Sequence, residues 1–235
     1  MNNFLFVLVI SILTPSILLS QVRSIDAWES GVKLGMSNYQ GDLVREHFNI
    51  LESNPGIEIY LRYFYDYNLA FHGSFSFAFL TGDDRNYSQT EDPGRYDRGL
   101  RFENQVYLFN FRLDYFPLLK KKQRYINVDL PWQPYFGLGL GLNFNDPELI
   151  NQNPNRIPKF TQKESPVINS QFSAGIKYYV SDLLSIAVES VWNIGYSDKL
   201  DGYVFKDTND IYMFHGVVLS VSLEEIFRPY RRRFW

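Results

Sequence analysis

The chain has no cysteine in 235 residues. That excludes disulfide staples, a lipid-modified N-terminal cysteine and thiolate metal centres. Histidine is nearly as scarce: His47, His72 and His215 are the three copies, and their spacing fits no metal site. Neither sign of charge dominates, since 23 Lys and Arg stand against 26 Asp and Glu for a net charge of -3. With no basic stripe interleaved with aromatics, nothing favours nucleic acid as a partner. Long apolar runs are also missing, apart from Phe4 to Leu19, FLFVLVISILTPSILL. Broken by Pro15 and followed by Ser20 and Gln21, that run reads as a secretory signal peptide cleaved near Ser20. It is short for a spanning helix, which needs ~20 residues.

Aromatic residues are abundant. They make up 17% of the chain, with 20 Phe and 17 Tyr, while the mean hydropathy is only -0.24. Apolar and polar residues must therefore alternate, which favours strands. Eight segments show that period of two. The first three are Val32 to Met36, Ile57 to Tyr65 and Phe71 to Phe79, and the fourth spans 105 to 115. The fifth is PYFGLGLGLNF, 134 to 144, where Gly137, Gly139 and Gly141 alternate with leucines. Ile168 to Tyr178, Leu184 to Ile194 and Val217 to Leu223 complete the set. The glycines of the fifth open no helix and so do not form a phosphate cradle.

Connections alternate too. Tight turns at Asp66-Tyr67-Asn68 and Ser181-Asp182 contrast with long polar connections at 40 to 55, 82 to 99, 145 to 165 and 197 to 210. The exception is 117 to 133, a long connection on the tight-turn side. Short turns on one rim and long loops on the other are the pattern of outer-membrane barrels. The expected fold is an all-β, eight-stranded antiparallel up-and-down transmembrane barrel over 21 to 223, between a signal peptide at 1 to 20 and a basic tail at 224 to 235. A soluble eight-stranded sandwich or lipocalin-like barrel would bury the apolar faces. Those faces carry too many Phe, Tyr and Leu for a lumen that just accommodates side chains. The apolar faces are therefore expected to meet lipid. Glu58, Arg62, Arg112, Asp114, Lys177 and Glu189 are expected to pair inside, with Gly137, Gly139 and Gly141 giving them room.

Several stretches resemble one known family. LGMSNYQGDL at 34 to 43, PYFGLGLGLNFNDP at 134 to 147, GIKYYVSDLLSIAVES at 175 to 190, SDKLDGYV at 197 to 204 and NDIYMFHGVVLSVSL at 209 to 223 are similar to the PorG-like outer-membrane barrels of the type IX secretion system. The resemblance implies a non-enzymatic accessory of a secretion and gliding machine, in contact with its periplasmic ring. The residues of SNYQGDL read separately as turn formers, Ser37, Asn38, Gly41 and Asp42, that end strand one, with Tyr39 in an interfacial aromatic girdle. A free-standing small barrel of OmpA or OmpX type, structural or adhesive, is the alternative.

No catalytic constellation is apparent. A lipid-modifying barrel needs a His beside a Ser and a carboxylate at the lipid boundary, and the sequence fixes no partner for His215, whose parity points outward. Carboxylates in TGDDRNYSQTEDPGRYDRG and SDKLDGYVFKDTND read as solvated loops, with cation binding the sharper alternative. No cofactor, metal or small-molecule substrate is expected. The rims differ in charge. The long connections hold nine basic and fifteen acidic residues, a net -6, whereas 117 to 134 and 224 to 235 hold eight basic and three acidic, a net +5. Lys120, Lys121, Lys122 and Arg124, with Arg228, Arg231, Arg232 and Arg233, are thus candidate contacts for a periplasmic protein partner. Outer-membrane lipid is the other expected partner, and anionic headgroups of the inner leaflet are the simpler ligand for the same basic residues.

Overall fold

The computed structural model describes residues 28–40, 53–66, 68–86, 93–118, 132–152, 165–181, 183–196, 200 and 210–223. The expected signal peptide and basic tail lie outside them. Eight strands run in chain order: β1 (Trp28–Gln40), β2 (Asn54–Phe64), β3 (Leu69–Asp83), β4 (Leu100–Tyr115), β5 (Trp132–Asn151), β6 (Val167–Tyr179), β7 (Leu184–Gly195) and β8 (Ile211–Ser222). Each pairs antiparallel with the next, and β8 pairs with β1 to close the barrel. At that seam Gly35 stands opposite Gly216. A β-carbon on either would collide with the backbone of the other strand. The soluble alternative falls here, because the apolar faces point outward. Leu138 and Val188 are 67% and 64% exposed, whereas Lys33, Arg62, Arg112 and Lys177 are buried inside.

The exterior packs aromatic against aromatic across β3 and β4: Phe75 lies 4.8 Å from Phe109 and Phe77 lies 4.9 Å from Tyr107, centroid to centroid. On β4 the lipid-facing run is Tyr107, Phe109, Phe111, Leu113 and Tyr115, nine residues end to end with a Tyr at each limit. That is the length of a spanning strand, flanked by interfacial aromatics.

Beyond Tyr107 the pattern inverts. Gln105, Glu103 and Arg101 face outward while Val106, Phe102 and Leu100 are buried inside, which is how a barrel in water is built. β5 does the same with Asp146 and Glu148 outside and Leu149 inside. Residues 145 to 151, expected in a loop, are strand. β3, β4 and β5 pair as far as Asp83↔Arg101 and Leu100↔Asn151, forming a three-stranded lip on the outer rim. Asp146 and Glu148 are the solvent-facing half of an alternation whose sign has changed, while Asn145 and Pro147 share the inward parity of Leu149. The lip ends in a 3-10 turn (Asp84–Asn86) and helix α1 (Pro93–Arg98). Arg98 clasps Asp84 through Nε at 2.7 Å and Nη2 at 2.6 Å.

β1 also extends further than expected. Ser37 and Asn38 are strand residues, not turn formers: the Ser37 hydroxyl donates to the Phe79 carbonyl at 2.5 Å. Tyr39 shares the parity of Lys33 and Ser37 and so faces inward, not toward a lipid girdle. It packs 4.8 Å from Phe102 and donates to Asp210 Oδ1 at 2.5 Å. Asp210 in turn accepts from the Leu200 amide at 2.8 Å, and Asn104 Nδ2 donates to the Leu200 carbonyl at 2.6 Å. Leu200 thereby joins Leu80, Phe102, Val106, Tyr212 and Phe214 in an apolar cluster under the outer mouth. A second cluster, including Tyr60, Phe116 and Tyr135 with Phe64 and Tyr179 against it, fills the opposite end.

Candidate functional site

Between these clusters lie the charges. Residues of one parity on each strand point inward, so Glu29 and Lys33 on β1, Glu58 and Arg62 on β2, His72 on β3, Arg112 and Asp114 on β4, Lys177 on β6 and Glu189 on β7 meet in the lumen, all buried. They form an alternating file. Lys177 pairs with Glu29, and Glu29 accepts from Arg62 Nη1 at 2.7 Å. Arg62 Nη2 reaches Asp114 at 2.7 Å, and Asp114 accepts from Arg112 Nε at 2.8 Å. Arg112 continues to Glu189, which binds Lys33 Nζ at 3.0 Å. Glu58 stands opposite Lys33 in register, so four anions balance four cations with His72 beside them. Two phenols complete the anions, Tyr60 donating to Glu29 at 3.0 Å and Tyr135 to Glu189 at 2.8 Å. Arg62 is caged by the rings of Tyr60, Phe116 and Tyr135, 5.1–5.3 Å away.

All six residues expected inside are there, and five belong to the file. Glu29 and Lys33 were missed as members. Lys33 already lay on the polar face of strand one, and extending that alternation back by two periods reaches Glu29. The glycines behave as expected: over Gly137 the side chains of Asp114 and Ser173 converge, over Gly139 that of Arg112, and over Gly141 those of Asn110 and Asn169. Charges joined wall to wall, with an aromatic cluster below and an apolar one above, leave no wide channel.

The structure supplies the partner that the sequence could not fix for His215. Ser190, opposite it in register, shares a hydrogen bond with its Nδ1 at 2.6 Å. His215 is the third of six outward residues on β8, which begins at Ile211 and not near Val217. The pair therefore faces the apolar belt, beside Trp192. A hydroxyl and an imidazole that satisfy one another in lipid are the simpler account. Among the described residues no three His, Asp or Glu side chains are grouped to hold a metal. The candidate contacts Lys120, Lys121, Lys122, Arg124, Arg228, Arg231, Arg232 and Arg233, and also His47, lie outside the described residues.

A family model described as a domain of unknown function, DUF6089, matches residues 3–225. The chain belongs to the DUF6089 family. Among curated proteins no sequence matches it. Its barrel is similar to Neisserial surface protein A, with a TM-score of 0.51 and 13% identity over 83% of this chain and 97% of that one. OprG of Pseudomonas aeruginosa (TM-score 0.45, 11% identity, 83% of this chain and 96% of that one) and Ail of Yersinia pestis (0.43, 13%, 82% and 97%) are more distant. The DUF6089 chain thus has the fold of an outer-membrane-type eight-stranded barrel. Its inward ion file and outward apolar belt are the physical form of that fold.

Proposed function

We propose that this DUF6089 barrel resides in the outer membrane after cleavage of its signal peptide and works as a structural, non-enzymatic accessory of a type IX secretion and gliding machine. The observation that carries the reading is the blocked lumen: a barrel whose interior is an ion file offers its rims and its lipid-facing wall, not a pore. The inner rim is the docking surface. The alternation of short and long connections in the sequence assigns KKKQR at 120 to 124 and RPYRRRF at 228 to 234 to that rim, opposite the acidic long connections. Guanidinium groups pair carboxylates bidentately, and Tyr230, Phe234 and Trp235 supply apolar anchors for a periplasmic partner. The type IX assignment rests on the similarity of SNYQGDL and its companion stretches to PorG-like barrels. A free-standing OmpA- or OmpX-like role is favoured by the self-contained lumen.

Deleting the gene is expected to abolish export of type IX cargo. Normal secretion with a weakened envelope would favour the free-standing role. Changing Arg231, Arg232 and Arg233 to Ser is expected to leave the heat-modifiable barrel intact and to release its periplasmic partners on pull-down from solubilised outer membranes. Attraction to anionic headgroups, ~1 kcal/mol per basic residue, would instead lower vesicle binding and leave copurification unchanged. In planar bilayers no steady conductance is expected.

A further inference from the structure

The rows of the sheet on the outer side of the ion file have an unusual inventory. One row reads Arg112, Gly139, Gln171, Asn193 and the next Asn110, Gly141, Asn169 across β4 to β7. β5 then continues outward with Asn143 and Asn145 facing in. These amides are buried, from 0% exposed at Asn169 to 8% at Asn145. Two direct contacts join them: Asn169 Nδ2 donates to Asn143 Oδ1 at 2.6 Å, and Gln171 Nε2 to Asn193 Oδ1 at 3.1 Å. Many polar atoms are left over. Both amide atoms of Asn110 and of Asn145, Asn169 Oδ1, Gln171 Oε1, Asn193 Nδ2, Ser173 Oγ, Ser74 Oγ and Arg112 Nη1 are buried without a protein partner.

Leaving one such group dry costs ~1–3 kcal/mol, so a cluster of this size calls for a ligand. Its chemistry can be read from the surplus. Donors (Asn110, Asn193 and Arg112 nitrogens) and acceptors (Asn110, Asn169 and Gln171 oxygens) are nearly matched, and the hydroxyls of Ser74 and Ser173 can serve either way. A cation would need convergent oxygens and a surplus of negative charge, but the ion file beneath is electroneutral. An anion would face the same amide oxygens. We infer that this β4–β7 wall of the lumen binds a cluster of ordered water molecules, extending along β5 toward Asn145. Water is the ligand that donates and accepts in equal measure, and two to four polar partners per molecule are available. Glu58 Oε1 and His72 Nε2, each buried and unpartnered, face one another at 4.0 Å, a gap that one such molecule bridges. Gly141 of β5 acquires a further role, because a side chain there would take the space where the amides of Asn110 and Asn169 meet.

Proton-detected solid-state NMR of the full-length protein in lipid bilayers tests this through polarisation transfer from water to assigned side-chain NH2 groups. Transfer to Asn110 and Asn193 is expected, with none to the Arg62 guanidinium in its aromatic cage. The variant Asn110→Leu is expected to lose the water contact at its neighbours Asn169 and Gln171 and to keep the ion file. Absence of transfer in the unmodified protein, with scalar couplings linking the amides directly to one another, would overturn the inference even if the variant failed to fold.

Discussion

Replacing Arg112 with alanine is expected to destabilise the barrel in lipid by about 3 kcal/mol, the lower end of the range for breaking a buried ion pair. Arg112 is the link between Asp114 and Glu189, and its removal leaves two buried carboxylates short of a cation. The effect stays at the lower end because each keeps a second partner: Arg62 for Asp114, and Lys33 with Tyr135 for Glu189. Urea unfolding in vesicles, followed by the gel shift of the heat-modifiable band, measures it. The double variant Arg112→Met with Glu189→Gln removes a charge of each sign and is expected to cost less than the two single changes together. A loss under about 1 kcal/mol for Arg112→Ala would mean that the file behaves like a string of exposed pairs.

The second large effect distinguishes glycines that look alike in sequence. A β-carbon at Gly139 would strike the Phe111 carbonyl oxygen and the Cα and Cβ of Arg112, which cannot move without shifting β4. At Gly141 it would meet the amide ends of Asn110 and Asn169, which can swing away. Gly139→Ala is therefore expected to cost about 3 kcal/mol, the upper part of the overpacking range, and Gly141→Ala about 1. The same unfolding assay ranks them. Equal costs would show that strand propensity, not contact with β4, keeps glycine in this strand.

What the sequence disclosed and what it hid follow from one cause. Alternation specifies which face a side chain takes, so Arg62, Asp114 and Lys177 could be placed inside before any pairing was known. Register is a relation between strands. Ser190 was invisible as the partner of His215, and Glu29 as the meeting point of Lys177 and Arg62, because both depend on how far β7 slides on β8 and β1 on β2. Environment was the other blind spot. Above the lipid boundary water wets the outside of the barrel, the preference of each face reverses, and Asp146 to Glu148 imitate a loop. Tyr39 misled for a related reason, since its height suits a girdle and only its parity places it inside.

The seam between β1 and β8 bears on how such a chain can be made. Its paired residues, from Gln40↔Ile211 to Glu29↔Ser222, are separated by 171 to 193 positions, so closing it costs roughly 5 kcal/mol of loop entropy before any hydrogen bond forms. Every other seam joins neighbours in the chain and can form as the polypeptide emerges. Until that seam closes, β1 and β8 are open edges whose backbone groups have no partner that hydrocarbon can supply. Biogenesis must therefore hold a nearly complete sheet with both edges shielded, and close it in a single late step. A chain that stops before β8 is left with no way into the bilayer.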